Sequence, residues 1–310
     1  MTDLAIGTDQ LTRRFAAVPA VDRLSLEVPA GILFGFLGPN GAGKTTTIRL
    51  LMGLLEATSG SARVLGFDVR TQAAEIRQRT GALLEQTGLY ERLSAEDNLE
   101  FYARIWRLAP AERQARITQL LEHFGLRQRR KERVGTWSRG MRQKLAIARA
   151  LLHRPRLIFL DEPTAGLDPV MAAAVRADLT TLAQQEGVTV FLTTHDLAEA
   201  EKVCQLVAVI RQGKLLAIGR PGELRGQAGA ARVELIGRGF TPDRMALLRA
   251  RPEVASVTGQ DDHLIVELRA AGDVAPLTGL LVRAGADIEE VHKGQASLED
   301  VFLSLMQEAA

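Results

Sequence analysis

The sequence predicts an α/β chain in two parts: a parallel sheet covered by helices, then a smaller α+β unit. Three observations carry this. From residue 157 on, apolar runs at 157–160 and 188–194 alternate with helical patterns that begin near 170 and 197, the order of a parallel sheet flanked by helices. A nearly all-apolar run at 32–37, fit for a strand buried on both faces, leads into the glycine-rich GPNGAGKTT of 38–46 and a helical pattern over 44–54. Beyond 231 the order is strand (232–236), helix (241–249), strand (254–258), strand (263–268), helix (274–284), strand (287–292). That is a β-α-β-β-α-β series of the ferredoxin-like kind.

The other elements follow from local chemistry. Segments 4–12 and 21–28 alternate apolar and polar residues, as half-buried antiparallel strands do. A helix over 95–107 can start at Ser94, whose hydroxyl suits a cap, and one over 111–124 can close at Gly125. Met141, Leu145, Ala148 and Leu152 form an apolar stripe at helical spacing, with the arginines of 137–154 off it. LVAVIRQGKLLAIG, 206–219, reads as a hairpin turning at Gln212-Gly213. The small, weakly patterned RGQAGAA of 225–231 reads as a linker. The expected division is 1–225, a linker at 226–231, and an accessory domain at 232–310 that ends in a helix from 297 to near 307.

Composition narrows the function. A hydrophobic share of 46% supports a sizeable core and argues against disorder. The basic run Arg127, Arg129, Arg130, Lys131, Arg133, Arg139, Arg142, Lys144, Arg149, Arg154 invites a nucleic-acid reading. A formal charge of only +2 weakens it. The single cysteine, Cys204, allows no intrachain disulfide and fits a reducing, cytosolic compartment. The N-terminal MTDLAIGTDQ lacks signal-peptide chemistry, and ILFGFLG is too short to span a bilayer, so a membrane role needs a separate partner.

Residues 38–45 satisfy G-x-x-x-x-G-K-[ST] through Gly38, Gly43, Lys44 and Thr45, between a strand and a helix. In such a loop, here Gly38, Pro39, Asn40, Gly41, Ala42, Gly43, Lys44, Thr45 and Thr46, backbone N–H groups curl around an anion at a helix N-terminus. Lys44 adds a cation for the β- and γ-phosphates and Thr45 a hydroxyl for Mg²⁺. LIFLDEPT, 157–164, ends an apolar strand in Asp161 and Glu162. The first carboxylate can hold Mg²⁺ through water; the second can orient an attacking water. TVFLTTHD, 189–196, brings His195 to a third strand tip, on the edge of an α/β sheet where ligands bind.

Taken in order, these motifs resemble the nucleotide-binding subunit of ATP-binding-cassette (ABC) transporters. The resemblance spans roughly 4–225. It adds LLEQTGLY with Gln86 at the Q-loop position, WSRGM at the signature position, AGLD with Asp168 at the D-loop, His195 as the switch histidine, and Phe15 where a ring stacks on adenine. It implies a P-loop NTPase cassette with a parallel-sheet core, an antiparallel β subdomain and a helical subdomain. It also implies ATP hydrolysis with Mg²⁺, held by Thr45, Asp161 and Gln86. Two copies would close head to tail around two ATP molecules, so that Ser138 and the backbone N–H of Gly140 meet the γ-phosphate held by the other copy. Lys44, Glu162, His195 and Gln86 are then the catalytic set.

Trp137, Arg139 and Met141 depart from the usual Leu-Ser-Gly-Gly-Gln. Arg139 either adds a cation near the other chain's phosphate or points to solvent; the sequence leaves both open. Ser-Arg-Gly-Met and the closing GQASLEDVFLSL of 294–305 are similar to exporters of drugs, antibiotics, lipids or ions. In these the membrane permease is a separate polypeptide, and the cassette sits peripherally on the cytoplasmic face of the membrane. Leu89, Tyr90, Phe101, Tyr102 and Trp106 supply apolar and aromatic residues for the permease surface, some of them serving as core instead, and no nucleic-acid partner is expected. The alternative is a soluble ABC ATPase acting on nucleic acid or ribosomes.

Overall fold

The computed structural model describes residues 3–227, 231–260, 262–269, 272–294 and 297–302. The chain divides into two compact units, Met1–Arg220 and Pro221–Ala310.

The first unit opens with β1 (Leu4–Phe15) and β2 (Val18–Pro29), then β3 (Leu33–Leu37) and α1 (Lys44–Leu51). Next come β4 (Ser59–Val64), β5 (Phe67–Asp68), α2 (Ala73–Arg79) and β6 (Thr80–Leu83). A helical stretch follows, α3 (Ala95–Ile105), α4 (Pro110–His123) and α5 (Arg139–Ala150). Then β7 (Leu157–Asp161), α6 (Pro169–Glu186), β8 (Thr189–Thr194), α7 (Leu197–Val203), β9 (Leu206–Arg211) and β10 (Lys214–Gly219) complete it.

Two sheets result. An antiparallel one has the order β2-β1-β4-β5, and a six-stranded one β10-β9-β3-β8-β7-β6. In the latter β3, β9, β8, β7 and β6 run parallel and β10 is antiparallel to β9. Strands β3, β7 and β8 are buried along their whole length; most of their side chains are apolar, and Phe34, Phe36, Phe159 and Phe191 share a core with α1 and with the antiparallel sheet. Phe34, Phe36 and Phe159 each pack against Phe191, with ring centroids 5.2–5.5 Å apart. Each such burial contributes about 1.5–3 kcal/mol.

Register turns this core into a platform. Leu37 pairs with Thr194, and Asp161 with Thr193. The ends of β3, β7 and β8 therefore reach one edge of the sheet together, and the residues that follow them share that edge.

The expected strands and helices of 1–220 are present, with shifts of a few residues at their ends. The helix expected over 44–54 stops at Leu51, where Gly53 takes φ +61. Ser94 caps α3 by accepting from the Asp97 N–H, and Gly125 closes α4 at φ +68. Strands β4 (SGSARV) and β6 (TGAL) gave no sequence signal, since each holds too few apolar residues to show a period. Pairing with β1 and β7 makes them strands.

The second unit contains α8 (Pro221–Gln227), β11 (Ala231–Arg238), α9 (Pro242–Arg249), β12 (Val254–Gln260), β13 (His263–Leu268), α10 (Ala275–Arg283) and β14 (Asp287–Gly294). Its sheet is antiparallel in the order β12-β13-β11-β14. Val233, Leu235, Leu264 and Val266 from the strands meet Leu248, Leu277 and Leu281 from the helices in a separate core. The boundary differs from the expected one. Residues 221–227 are helical and belong to the second unit, so the stretch expected as the start of a linker is the end of α8; residues 228–230 lie outside the described ones. Of the expected final helix, 298–302 are helical and 303–310 lie outside the described residues.

Candidate nucleotide-binding site

The loop between β3 and α1 is built around glycines that nothing else can replace. Gly38 has no room for a side chain: a Cβ there would stand 2.4 Å from the Ile210 carbonyl oxygen. Gly43 takes φ +106, and a Cβ would meet the Ala20 carbonyl at 2.3 Å. Gly43 is also the N-cap of α1 and offers no side-chain cap, so the first N–H groups of that helix are left for an anion.

Lys44 is 6% exposed. Its ammonium donates to the Gly38 carbonyl (2.7 Å) and reaches Pro39 O at 3.3 Å. It stands 2.9 Å from Glu162 Oε1, an oxygen that is buried and lacks a hydrogen bond. The pair is thus a charge contact without hydrogen-bond alignment, and both groups keep bonding capacity for a ligand.

Below them the carboxylates are wired to the sheet. Thr45 Oγ1 donates to Asp161 Oδ2 at 2.6 Å and Thr193 Oγ1 to Asp161 Oδ1 at 2.5 Å. The Glu162 N–H donates to Thr193 Oγ1 (3.0 Å) and O (3.2 Å). Glu162 takes φ +50, a left-handed conformation that is strained for a non-glycine residue and clusters at functional sites. It turns the carboxylate away from the strand line toward Lys44 and His195, whose Nδ1 lies 2.9 Å from Glu162 Oε2.

These groups line a cavity of about 380 Å³ whose wall includes residues 39–46, Asp161, Glu162, Ala165, Arg139 and Gln143. Lys44, Thr45, Asp161 and Glu162 are therefore brought together, with His195 attached through Glu162. Phe15 is half exposed at the end of β1 and carries the Arg13 guanidinium over its ring at 4.8 Å; it does not line the cavity. Nor does Gln86, which is exposed between two residues that do, Glu85 and Thr87. Ser138 and Asp168 lie exposed at the N-termini of α5 and α6. Each accepts a hydrogen bond from an N–H of its own helix, that of Met141 (3.3 Å) and Met171 (3.0 Å).

A fold of this kind, with a P-loop, an Asp-Glu strand tip and a histidine on the next strand, has known relatives. The family profile described as "ABC transporter" matches residues 21–165. The chain is 35% identical to the bacitracin transport ATP-binding protein BcrA of Bacillus licheniformis, across 97% of each chain. The chain belongs to the ATP-binding proteins of ABC transporters. It is 36% identical to the daunorubicin resistance ATP-binding protein DrrA3 of Streptomyces coeruleorubidus, over 98% of this chain and 96% of that one. Among solved structures, CbiO1 of Clostridium perfringens, part of the ABC transporter complex CbiONQ, aligns at TM-score 0.68 with 25% identity. That alignment covers 72% of this chain and 90% of the other.

As an ABC ATP-binding protein the chain binds and hydrolyses ATP, and the phosphate loop is the feature on which this rests. Sequence reasoning missed Thr193, Gln143, Ala165 and the placement of Arg139. Thr193 could have been found: a polar residue at the end of an otherwise apolar buried strand, two before His195, has to bond something. Arg139 could not, since its reach depends on where α6 begins.

The basic run is largely compensated. Arg127 pairs with Glu122, Arg129 with Glu132, Arg130 with Glu96, Arg142 with Glu91, and Lys144 with Asp178. Trp106, expected on a partner surface, turns into its own chain and stacks on His153 at 3.8 Å.

Proposed function

We propose that this chain powers export of a drug, antibiotic, lipid or ion through a separate membrane permease, and that two copies close around two ATP molecules to do so. The observation that carries the reading is the split in the site. Lys44, Thr45, Asp161 and Glu162 form a wired half that lines the cavity, whereas Ser138 and Asp168 sit exposed outside it. A second copy is the natural source of what the cavity lacks, because Ser138 presents a hydroxyl at a helix N-terminus that favours a phosphate.

Within one copy, Lys44 and the N–H groups opening α1 hold the β- and γ-phosphates. Glu162, aimed by its backbone, orients the attacking water, and His195 steadies that carboxylate and approaches the γ-phosphate. Thr45 and Asp161 offer a hydroxyl and a carboxylate in contact, hard oxygen donors of the kind Mg²⁺ takes alongside phosphate oxygens. When bound, the ion neutralises developing charge on the phosphates. Gln86 senses the occupied cavity through its neighbours Glu85 and Thr87, and Phe15 stacks on the adenine. Catalysis is by position and charge rather than covalent chemistry.

Among the described residues no helix is long and apolar enough to cross a membrane. The permease would seat on Tyr90 and Phe101, which are exposed and pack edge to face at 4.9 Å, and on exposed Ile105. That seat puts the chain on the cytoplasmic face of the membrane. The names of the relatives, for bacitracin transport and daunorubicin resistance, favour an antibiotic-like cargo. We read the second unit as a ferredoxin-like accessory domain, on the strength of its element order and its 4-1-3-2 type of strand arrangement.

Glu162→Gln tests the reading. It removes the carboxylate that orients water and keeps the fold, so turnover should be lost and an ATP-dependent dimer should accumulate in sedimentation. A variant that hydrolyses ATP normally, or stays a single copy with ATP and permease present, overturns it.

A further inference from the structure

Arg139 occupies a signature position where the family usually has glycine, and although it is exposed its side chain also has a neighbour in its own chain. The guanidinium lies on the bare face of Gly166: a Cβ built there would stand 2.4 Å from Nη1 and 2.8 Å from Cζ of Arg139. Gly166 is exposed and takes φ +68 in the loop that ends at Asp168, the cap of α6. Contact with the backbone exists only while position 166 carries no side chain.

Two further contacts join the same pair of helices. Gly140 is buried against Met171 in the first turn of α6; a Cβ on it would lie 2.7 Å from the Met171 methyl. One turn further along α5, Lys144 Nζ pairs with Asp178 Oδ2 at 2.9 Å, both largely buried. These hold the bodies of the helices together. Of the three contacts, the one made by Arg139 reaches the loop, where glycine gives the backbone most freedom.

We propose that Arg139 is a positioning residue that ties the start of α5 to the 164–168 loop of the same chain, so that Ser138 and Asp168 are presented as one preformed edge. This rests on the two-copy reading above. Closure around ATP requires both groups in place at once, and an edge that is already ordered loses less freedom on closing. With a glycine at 139 the loop would have to be ordered by the incoming copy.

The test uses the full-length chain carrying Glu162→Gln, with Arg139→Ala, Gly166→Ala and the pair together. Alanine at 166 meets the flexible end of an arginine rather than backbone, but φ +68 also strains it there; strain alone would add independently to Arg139→Ala, so the pair separates it from loss of the contact. The first readout is the ATP concentration that gives half-maximal dimer in sedimentation. The second is binding of a fluorescent ATP analogue by dilute, single copies.

Each single change should raise the first about tenfold, and the pair should be clearly less than multiplicative on it; Gly166→Ala, which lies off the cavity wall, should leave the second unaltered. Multiplicative effects, or an Arg139→Ala chain that dimerises like its parent, overturn the proposal. A weakened affinity of the Gly166→Ala single copy for the analogue does so too, since the contact would then serve nucleotide binding rather than closure. If the Glu162→Gln parent itself fails to dimerise, the two-copy reading falls, and this inference with it.

Discussion

The two edges that the site needs are built on opposite plans. At the phosphate-loop edge, Lys44, Asp161, Thr193 and Glu162 are half-buried or buried, and bonds to carbonyls, hydroxyls and backbone fix each of them. At the signature edge, Ser138 and Asp168 are exposed, and their side chains cap their own helices. The first edge has its partners within a single copy; the second is held from behind and keeps its exposed groups for what docks on it. Binding ATP and closing on ATP are accordingly separable, and substitutions at the two edges should fail differently.

The largest effect is expected at Lys44. Lys44→Ala removes the buried cation and leaves Glu162 Oε1 without its charge partner, so turnover should fall by about 10²–10³-fold, with ATP binding by the single copy lost as well. A nucleotide-binding assay on dilute protein checks this. Retained affinity would mean that the phosphate-loop edge is not preorganised around this lysine. Thr193→Val comes next. It keeps the shape of a fully buried side chain but strips the donor to Asp161 and the hydroxyl acceptor of the Glu162 N–H, costing about 3 kcal/mol of stability by urea unfolding.

The sequence made the first edge legible and left the second half-read, for a physical reason. A phosphate loop is local: Gly38, Gly43, Lys44 and Thr45 fall within eight positions, and the strand before and helix after them are recognisable by period. The carboxylates and His195 end apolar strands, so a parallel sheet alone aligns them. Ser138 could be read as a cap and Asp168 as a loop residue, but their relation to each other is set by packing of α5 on α6. Nothing in local periodicity encodes that Gly140 rests on Met171 or that Arg139 covers Gly166. Likewise nothing local to Trp106 encodes its stack on His153, which lies 47 positions further along the chain.

That stack matters for how the signature edge is held from behind. Past the end of α5, His153 is packed on Trp106, and its Nε2 lies 3.1 Å from the Thr80 carbonyl on β6. Its other nitrogen is buried without a partner. Burial pushes its pKa from 6.5 down to about 4. The native state therefore keeps His153 neutral, while the unfolded chain takes up a proton once the pH drops below 6.5. Stability is full above that pH and is lost as the pH falls toward 4, by about 2 kcal/mol between pH 7 and 5. Urea unfolding at the two values checks it, and His153→Phe should flatten the difference. If the slope is unchanged in that variant, another group titrates, and the anchor at the rear of α5 is not this histidine.

The smallest stability change should come from the residue that divides the two plans most sharply. Ser138→Ala removes a long cap bond to the Met141 N–H and should cost about 1 kcal/mol. That loss alone could weaken closure by loosening the helix, so alanine does not separate cap from contact. Ser138→Asp does. Aspartate caps a helix as well as serine and suits the positive end of its dipole, so thermal stability should match or exceed that of the parent. It also offers no proton to a phosphate and sets a negative charge against it. In the Glu162→Gln background, Ser138→Asp should therefore bind ATP as a single copy and fail to dimerise. If that stable variant closes on ATP as readily as its parent, Ser138 does not face a phosphate, and the exposed edge would be a helix start and nothing more.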